Sequence, residues 1–248
     1  MPDRELLARL LPGRRILAAE VTGSTNRDAK VLWLEDGQRG DLVIADRQTS
    51  GIGRKGHSFA SEEGGLYMTL LLKEDLPAGL VTCVAAVAVR RAVKTVMGIE
   101  TRIKWVNDLQ KDGLKVCGIL CEAMWSGDAL LGQVCGIGLN LYRQHFEPEL
   151  EKIAGSLRPG EERPGEKEHL AAEIVKGLLE GLEHPQECMR EYSEHCLTLQ
   201  QRVCWQQEGE SFEGLAEAVT ETGGLMVRKD DGQMVILDAG EVSVRTTK

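Results

Sequence analysis

The sequence predicts an α+β fold: a mixed, largely antiparallel sheet flanked by helices, followed by a small β-barrel. Three observations predict it. Apolar residues recur at helical spacing in a few long segments. Several strand-like runs in the middle of the chain follow one another across short turns, which favours antiparallel neighbours. After about residue 198 the period changes from helical to two. With 248 residues, 42% of them hydrophobic and 28% charged, the chain can bury a sizeable core and lies outside the disordered and low-complexity classes.

In order, ELLARLLPG reads as a short helix stopped at Pro12-Gly13, and RRILAAEV as a strand. Ser24, Thr25 or Asn26 caps a helix through NRDAKVLWLE, since short polar side chains satisfy the free amides of a first turn. DLVIADRQ and LYMTLLL are strands separated by a polar, glycine-dense loop, SGIGRKGHSFASEEGG. The run from Leu76 to Gly98 is the longest helical pattern, rich in small residues and packed on a sheet face. TRIKWV, LKVCGILCEAMW and ALLGQVCGIGLNLY are strands joined by turns at Asn107-Asp108, Asp112-Gly113 and Ser126-Gly127-Asp128. A Pro-, Gly- and Glu-rich loop follows at 155–166, then helix from HLAAEIVKGLLEGL past Pro185 through CMREYSEHC. QRVCWQQ, SFEGLAEAV, GLMVRKD, QMVILDA and EVSVR then form five short strands, so a boundary is expected near 197, dividing the chain into 1–197 and 198–248.

The net charge of -9 disfavours wholesale nucleic-acid binding, so an anionic ligand must be met by a local basic cluster. No stretch approaches the roughly 18 apolar residues of a membrane span, and MPDRELLARLL is too charged for a secretion signal, so a cytoplasmic protein is expected. The seven cysteines are odd in number and mostly embedded in apolar runs, and read as reduced core thiols. Cys117 with Cys121, and His184, Cys188, His195 with Cys196, lack the second half of a closed zinc site.

Gly51, Gly53 and Gly56 match G-x-G-x-x-G after a strand, but only nine residues separate Gly56 from Leu66, which leaves no space for the crossover helix of a dinucleotide fold. What remains is a loop of free amides carrying Arg54, Lys55 and His57, suited to a phosphate or carboxylate, or a solvated hairpin loop with incidental charge. KWVND at 104–108 is followed by Lys115 at the start of an apolar strand, where its ammonium requires an anionic partner or a wet cleft. Asn107 and Asp108 could recognise a base edge or orient a metal-bound phosphate, or could form an Asn-Asp turn.

Taken in order, Ser24-Thr25-Asn26, ADRQTSGIGRKGHSF, KWVND with KVCGIL and Glu122, and GIGLN ending at Asn140 resemble the biotin protein ligase family. The resemblance runs from about residue 14 to the C-terminal GEVSVR. It implies a class II synthetase-like main domain, an SH3-like C-terminal barrel, and ATP-dependent joining of biotin to a lysine of a biotin carboxyl carrier domain through biotinyl-5′-AMP, with magnesium accompanying ATP. Carried over, Ser24, Thr25 and Gln48 would bond the ureido ring, with Asn26 in the same motif. Ile52, Gly53 and Arg54 in the loop, with Lys115, would hold biotin and its adenylate. Arg54, Lys55, Asn107 and Asn140 would contact ATP, and Asp108 would join them as a helper for magnesium or ribose. Arg54 and Lys115 are the implied catalytic residues.

Ile52 and His57 stand where the family commonly has arginines, Val106 where it usually has proline, and Phe59 replaces a common tryptophan. The first motif begins at residue 24, leaving no space for the N-terminal DNA-binding domain of some members, so a catalytic-only form without DNA or membrane binding is expected, with a homodimer left open. The competing functions are a lipoate ligase of related fold and a non-catalytic biotin-binding sensor.

Overall fold

The computed structural model describes residues 1–73, 75–143, 145–160, 162–207 and 209–238, and the backbone of 245–246. Helix α1 (Arg4–Leu10) is capped by Asp3, whose carboxylate accepts from the Leu6 amide, and it buries Leu7. Strand β1 (Ile16–Thr22), helix α2 (Thr25–Leu34) and strand β2 (Leu42–Gln48) form a crossover in which β1 and β2 pair in parallel. Every other pairing of the large sheet is antiparallel: β3 (Gly65–Leu72), β4 (Arg102–Lys104), β5 (Asp108–Lys111), β6 (Leu114–Ser126) and β7 (Ala129–Asn140) complete the order β1-β2-β3-β7-β6-β5-β4.

Strand alternation divides this sheet into two faces. Leu42, Ile44, Leu70, Leu72, Cys135 and Ile137 join the main core, beneath α3 (Ala78–Met97), α4 (Glu166–Glu183) and α5 (Pro185–His195). Val43, Leu71 and Val134 point the other way and form a small second core with Ala29 and Leu32 of α2. Helix α2 therefore covers only part of its face, and the sheet beyond its N-terminus is left for something else. Helix α3 is buried nearly all round, and a glycine of α4 lets the two helices come close: a Cβ on Gly181 would meet Val84 Cγ1 of α3 at 2.8 Å. It ends at Gly98 in the left-handed region, φ +69.

The C-terminal strands β8 (Arg202–Gln207), β9 (Glu210–Val219), β10 (Leu225–Lys229), β11 (Met234–Leu237) and β12 (Arg245–Thr246) form a second antiparallel sheet, ordered β11-β10-β9-β8-β12. Of the expected strand EVSVR, only the backbone at Arg245 lies within the described residues. Trp105 joins this sheet to the large one, its Nε1 donating to Gly223 O at 2.9 Å.

The local structure departs from the expected pattern in three places. Ser24 occupies the cap position of α2 but makes no side-chain cap bond; the Thr25 amide donates instead to Gln48 Oε1 at 2.8 Å, a cap supplied by β2. The run TRIKWV is extended only to Lys104, after which Trp105–Asn107 turn the chain and DLQK adds the short strand β5. The final helical stretch breaks at His184, because Pro185 has no amide to donate into the preceding turn and so opens α5.

Candidate active site

The sheet left open beyond α2 is floored by glycine. Gly118 and Gly138 face each other across β6 and β7, and Gly136 sits two residues before Gly138 on the side that Val134 gives to α2. A side chain at these positions would fill the space: a Cβ on Gly138 would lie 2.5 Å from Phe59 Cε1, one on Gly118 2.8 Å from Phe59 Cε2, and one on Gly136 would collide with Asn26 Oδ1. Glycine in a strand thus marks a close approach, and here it makes a cleft of roughly 320 Å³ walled by the ring of Phe59.

The loop after β2 forms the roof. It is tied to itself by the Gly53 amide donating to His57 O at 2.7 Å and the Phe59 amide donating to Gly51 O at 2.9 Å. Its tip is a single 3-10 turn, Arg54–Gly56, with Lys55 at φ +55 and Gly56 at φ +74. No crossover helix follows, as expected for a ligand loop and not for a dinucleotide fold.

At one end of the cleft stand Thr25 and Gln48. Gln48 Oε1 accepts from the Thr25 amide at 2.8 Å and lies 3.0 Å from the Thr25 hydroxyl oxygen, while its Nε2 donates to Ser61 Oγ at 2.8 Å. At the other end stand Arg54, Lys104 and Lys115 with the single lining carboxylate Asp108. Lys115 Nζ lies 2.6 Å from Asp108 Oδ1 and 5.7 Å from the centre of the Phe59 ring, so the anionic partner that the half-buried ammonium requires is Asp108. Arg54 donates to Asn107 Oδ1 at 3.2 Å, and Asn107 in turn donates to Ile119 O at 3.1 Å, which anchors the loop cation to β6. Burial holds the Arg54 guanidinium below its ordinary value, an effect that nearby Asp108 opposes. A second hollow, roughly 530 Å³, shares Arg54, Ile119 and Leu120 with the first and adds Lys55, Thr82 and the turn Thr222–Gly224.

Among the expected site residues, Thr25, Gln48, Ile52, Gly53, Arg54, Asn107, Asp108 and Lys115 converge on the one cleft, and Lys55 borders the adjoining hollow. Ser24 and Asn26 are buried behind the cleft, and Asn140 lines neither space: its Nδ2 donates to Gly155 O at 3.1 Å and its Oδ1 is buried without a hydrogen-bond partner. Sequence reading passed over the three floor glycines, Lys104, Ser61 and Tyr192, whose hydroxyl donates to Val106 O at 3.1 Å and braces the KWVND turn. The alternate glycines of CGIG within a strand were a legible signal; the others were not.

Two family models match the chain: the biotin/lipoate A/B protein ligase family over residues 18–140, and the biotin protein ligase C terminal domain over 198–245. The chain belongs to the biotin protein ligase family. It is 38% identical over 67% of its length to the bifunctional ligase/repressor BirA of Bacillus spizizenii, of which that match covers 52%. The chain thus spans about half the length of the first curated relatives it matches. It is 26% identical to a biotin--[acetyl-CoA-carboxylase] ligase of Mycobacterium tuberculosis, over 92% of this chain and 88% of that one. A biotin protein ligase of Aquifex aeolicus, solved in complex with biotin and ATP, superposes with a TM-score of 0.79 at 26% identity, covering 94% of this chain and 99% of that one. Lys104, Arg54 and Lys115 together keep one end of the cleft cationic.

Proposed function

We propose that the protein attaches biotin to a lysine of a biotin carboxyl carrier domain, using ATP and passing through biotinyl-5′-AMP. The observation that carries this reading is the polarity of the cleft, with neutral hydrogen-bonding groups at the Thr25–Gln48 end and cations at the Arg54–Lys115 end. Biotin has the matching polarity, a neutral urea at one end and a carboxylate at the other. Membership of the family, and the solved relative that holds biotin and ATP, support it.

In this reading the ureido ring rests against Thr25 and Gln48, and the carboxylate reaches towards Lys115 and Arg54. ATP lies in the adjoining hollow beside Lys55 and reaches Arg54 and Asn107 where that hollow meets the cleft. Asn140 contributes through its unpaired Oδ1, and Asn26 and Ser24 act from behind the cleft. A carboxylate oxygen attacks the α-phosphorus, the bond to pyrophosphate breaks, and the mixed anhydride forms. Two anions must meet in that step, so Arg54, Lys55 and Lys115 act by offsetting their repulsion and the charge that develops on the phosphoryl oxygens. The carrier lysine then attacks the carbonyl carbon, the bond to AMP breaks, and the amine loses its proton. The loop Gly51–His57 shields the anhydride from water between the two steps.

Asp108 does not fit as a magnesium ligand on its own, since its carboxylate is paired with Lys115 and the described residues hold no cluster of three or more metal-binding side chains. Magnesium belongs in this reading to the MgATP substrate. We further place a domain boundary near 197 and the reaction in the cytoplasm; among the described residues no helix is long and apolar enough to cross a membrane. The absence of DNA binding, which the net charge of -9 supports, belongs to the same proposal. The test is pyrophosphate release from ATP that depends on biotin and is not supported by lipoate, followed by transfer to an isolated carrier domain. Release with lipoate but not biotin would favour the lipoate branch, and biotin binding without release would favour a sensor.

A further inference from the structure

Behind the cleft a chain of polar side chains runs from half-buried Glu122 through buried Asn26 and Thr69 to Thr25, and the proton count along it is fixed. Lys30 Nζ lies 2.6 Å from Glu122 Oε1, and Asn26 Nδ2 donates to Glu122 Oε2 at 2.7 Å and to Leu120 O at 3.3 Å. A carboxylate in an ion pair and a peptide carbonyl only accept, so the amide nitrogen of Asn26 must face them and its Oδ1 must face Thr69. Thr69, fully buried on β3, has its hydroxyl oxygen 2.7 Å from Asn26 Oδ1 and 2.9 Å from Thr25 Oγ1. It has one proton, and an amide oxygen cannot supply another, so that proton goes to Asn26. Towards Thr25, Thr69 can therefore only accept.

We propose that Glu122, acting through Asn26 and Thr69, is a specificity-determining positioning residue that makes the Thr25 end of the cleft a hydrogen-bond acceptor. The Thr25 proton has a resting place on Thr69, and when it sits there both Thr25 Oγ1 and the second lone pair of Gln48 Oε1 are open to the cleft. The orientation of Gln48 cannot reverse to compensate. The Thr25 amide only donates, which holds Oε1 towards it, and Ser61, whose hydroxyl donates to Phe59 O at 3.0 Å, receives Gln48 Nε2. That end accordingly selects a ligand presenting N–H donors, as a cyclic urea does, and rejects one presenting only sulfur, as a dithiolane does. The inference rests on the ligase reading and deepens it. Neither Glu122 nor Thr69 lines the cleft, so each acts through Thr25.

The experiment measures KM and kcat for biotin-dependent pyrophosphate release with biotin and with its two mono-N-methylated analogues. Proteins compared are the wild type, Thr69→Val, Glu122→Ala and Glu122→Gln, each checked for a native thermal melt. In Thr69→Val the Thr25 proton falls back on Gln48 Oε1, and KM for biotin rises on the order of ten-fold with kcat little changed. The penalty for methylating one of the two ring nitrogens, present in the wild type, shrinks in Thr69→Val by a similar factor. Glu122→Ala moves both quantities the same way. Glu122→Gln stays near the wild type, because its amide oxygen can still receive Asn26 while Lys30, 38% exposed, turns to solvent. Should Thr69→Val fail to fold, the contrast between Glu122→Ala and Glu122→Gln carries the test alone. Equal behaviour of those two, or a methylation penalty as large in the variants as in the wild type, would overturn the inference while leaving the ligase reading intact. Absence of biotin-dependent release from the wild type itself would overturn both.

Discussion

Replacing Lys115 by alanine separates chemistry from stability, because the structure gives this ammonium two tasks. It is a lining cation of the cleft, and it neutralises Asp108 at 2.6 Å. For the chemistry, loss of a fixed cation from a partly desolvated site that must bring two anions together lowers the rate of adenylate formation on the order of 10²- to 10³-fold. For stability, Asp108 is left with a side chain only 22% exposed and no ammonium beside it, at a cost of about 1 to 3 kcal/mol. In a chain of this size about 1 kcal/mol corresponds to roughly 2–4 °C in melting temperature. Lys115→Ala should therefore melt several degrees lower and make almost no adenylate. Adding Asp108→Asn removes the orphaned charge, so the double variant should regain the melting temperature and remain inactive. Thermal melts and biotin-dependent pyrophosphate release on the three proteins decide it. A folded Lys115→Ala protein that turns over at the wild-type rate would refute the assignment, and a double variant that melts as low as the single one would refute the role of Asp108 as counter-ion.

Gln48→Ala should raise KM for biotin without changing that for ATP, and because Gln48 caps α2 it should also cost about 0.5 to 2 kcal/mol of stability in a denaturant titration. An altered KM for ATP alone would place Gln48 at the wrong end of the cleft. Arg54→Gly, which frees Asn107 as well as removing a loop cation, should speed escape of biotinyl-adenylate by roughly 10- to 150-fold, the equivalent of about 1.5 to 3 kcal/mol. Ile52→Arg or His57→Arg should slow it; single-turnover measurement of adenylate dissociation reads both, and an unchanged rate in Arg54→Gly would show that backbone amides and Lys115 hold the loop. In Gly138→Ala the new methyl falls 2.5 Å from the Phe59 ring, so the ring must move; a higher biotin KM and a loss of about 1 to 3 kcal/mol are expected, and an unchanged KM would show that the ring does not wall the ligand.

The two ends of the cleft differ in how they are held. The cationic end is assembled from a loop, a turn and the first residues of β6, and its members are 22–32% exposed at the Lys115–Asp108 pair. The neutral end is anchored on the buried central strand β3 and on the first turn of α2, where Thr25, Asn26 and Thr69 are all buried. A ligand meeting this site therefore finds one end preorganised in the buried core and the other still partly wetted by solvent.

Several features follow from the sequence by itself. The α+β class, the antiparallel pair β6 and β7 and the change of period before β8 are local matters, since side-chain alternation and turn residues act over a few positions. The glycine-rich loop and its cations, and the ordered motifs around Thr25, Gln48, Arg54, Asn107 and Lys115, were legible because each is contiguous. The tertiary structure decided what those residues touch. Lys115 needs an anion, which its position at the start of an apolar strand already implies, but that the anion is Asp108 depends on the bulged register of β5 against β6. That Gln48 caps α2, that Asn26 turns away from the cleft to Glu122, 96 residues along the chain, and that Thr69 lies between them depend on three strands and a helix meeting in one order. Propensity and periodicity specify which face a residue takes. Only the pairing of distant strands specifies which partner waits there, because a hydrogen bond is made or lost over less than the spacing of one residue in a strand.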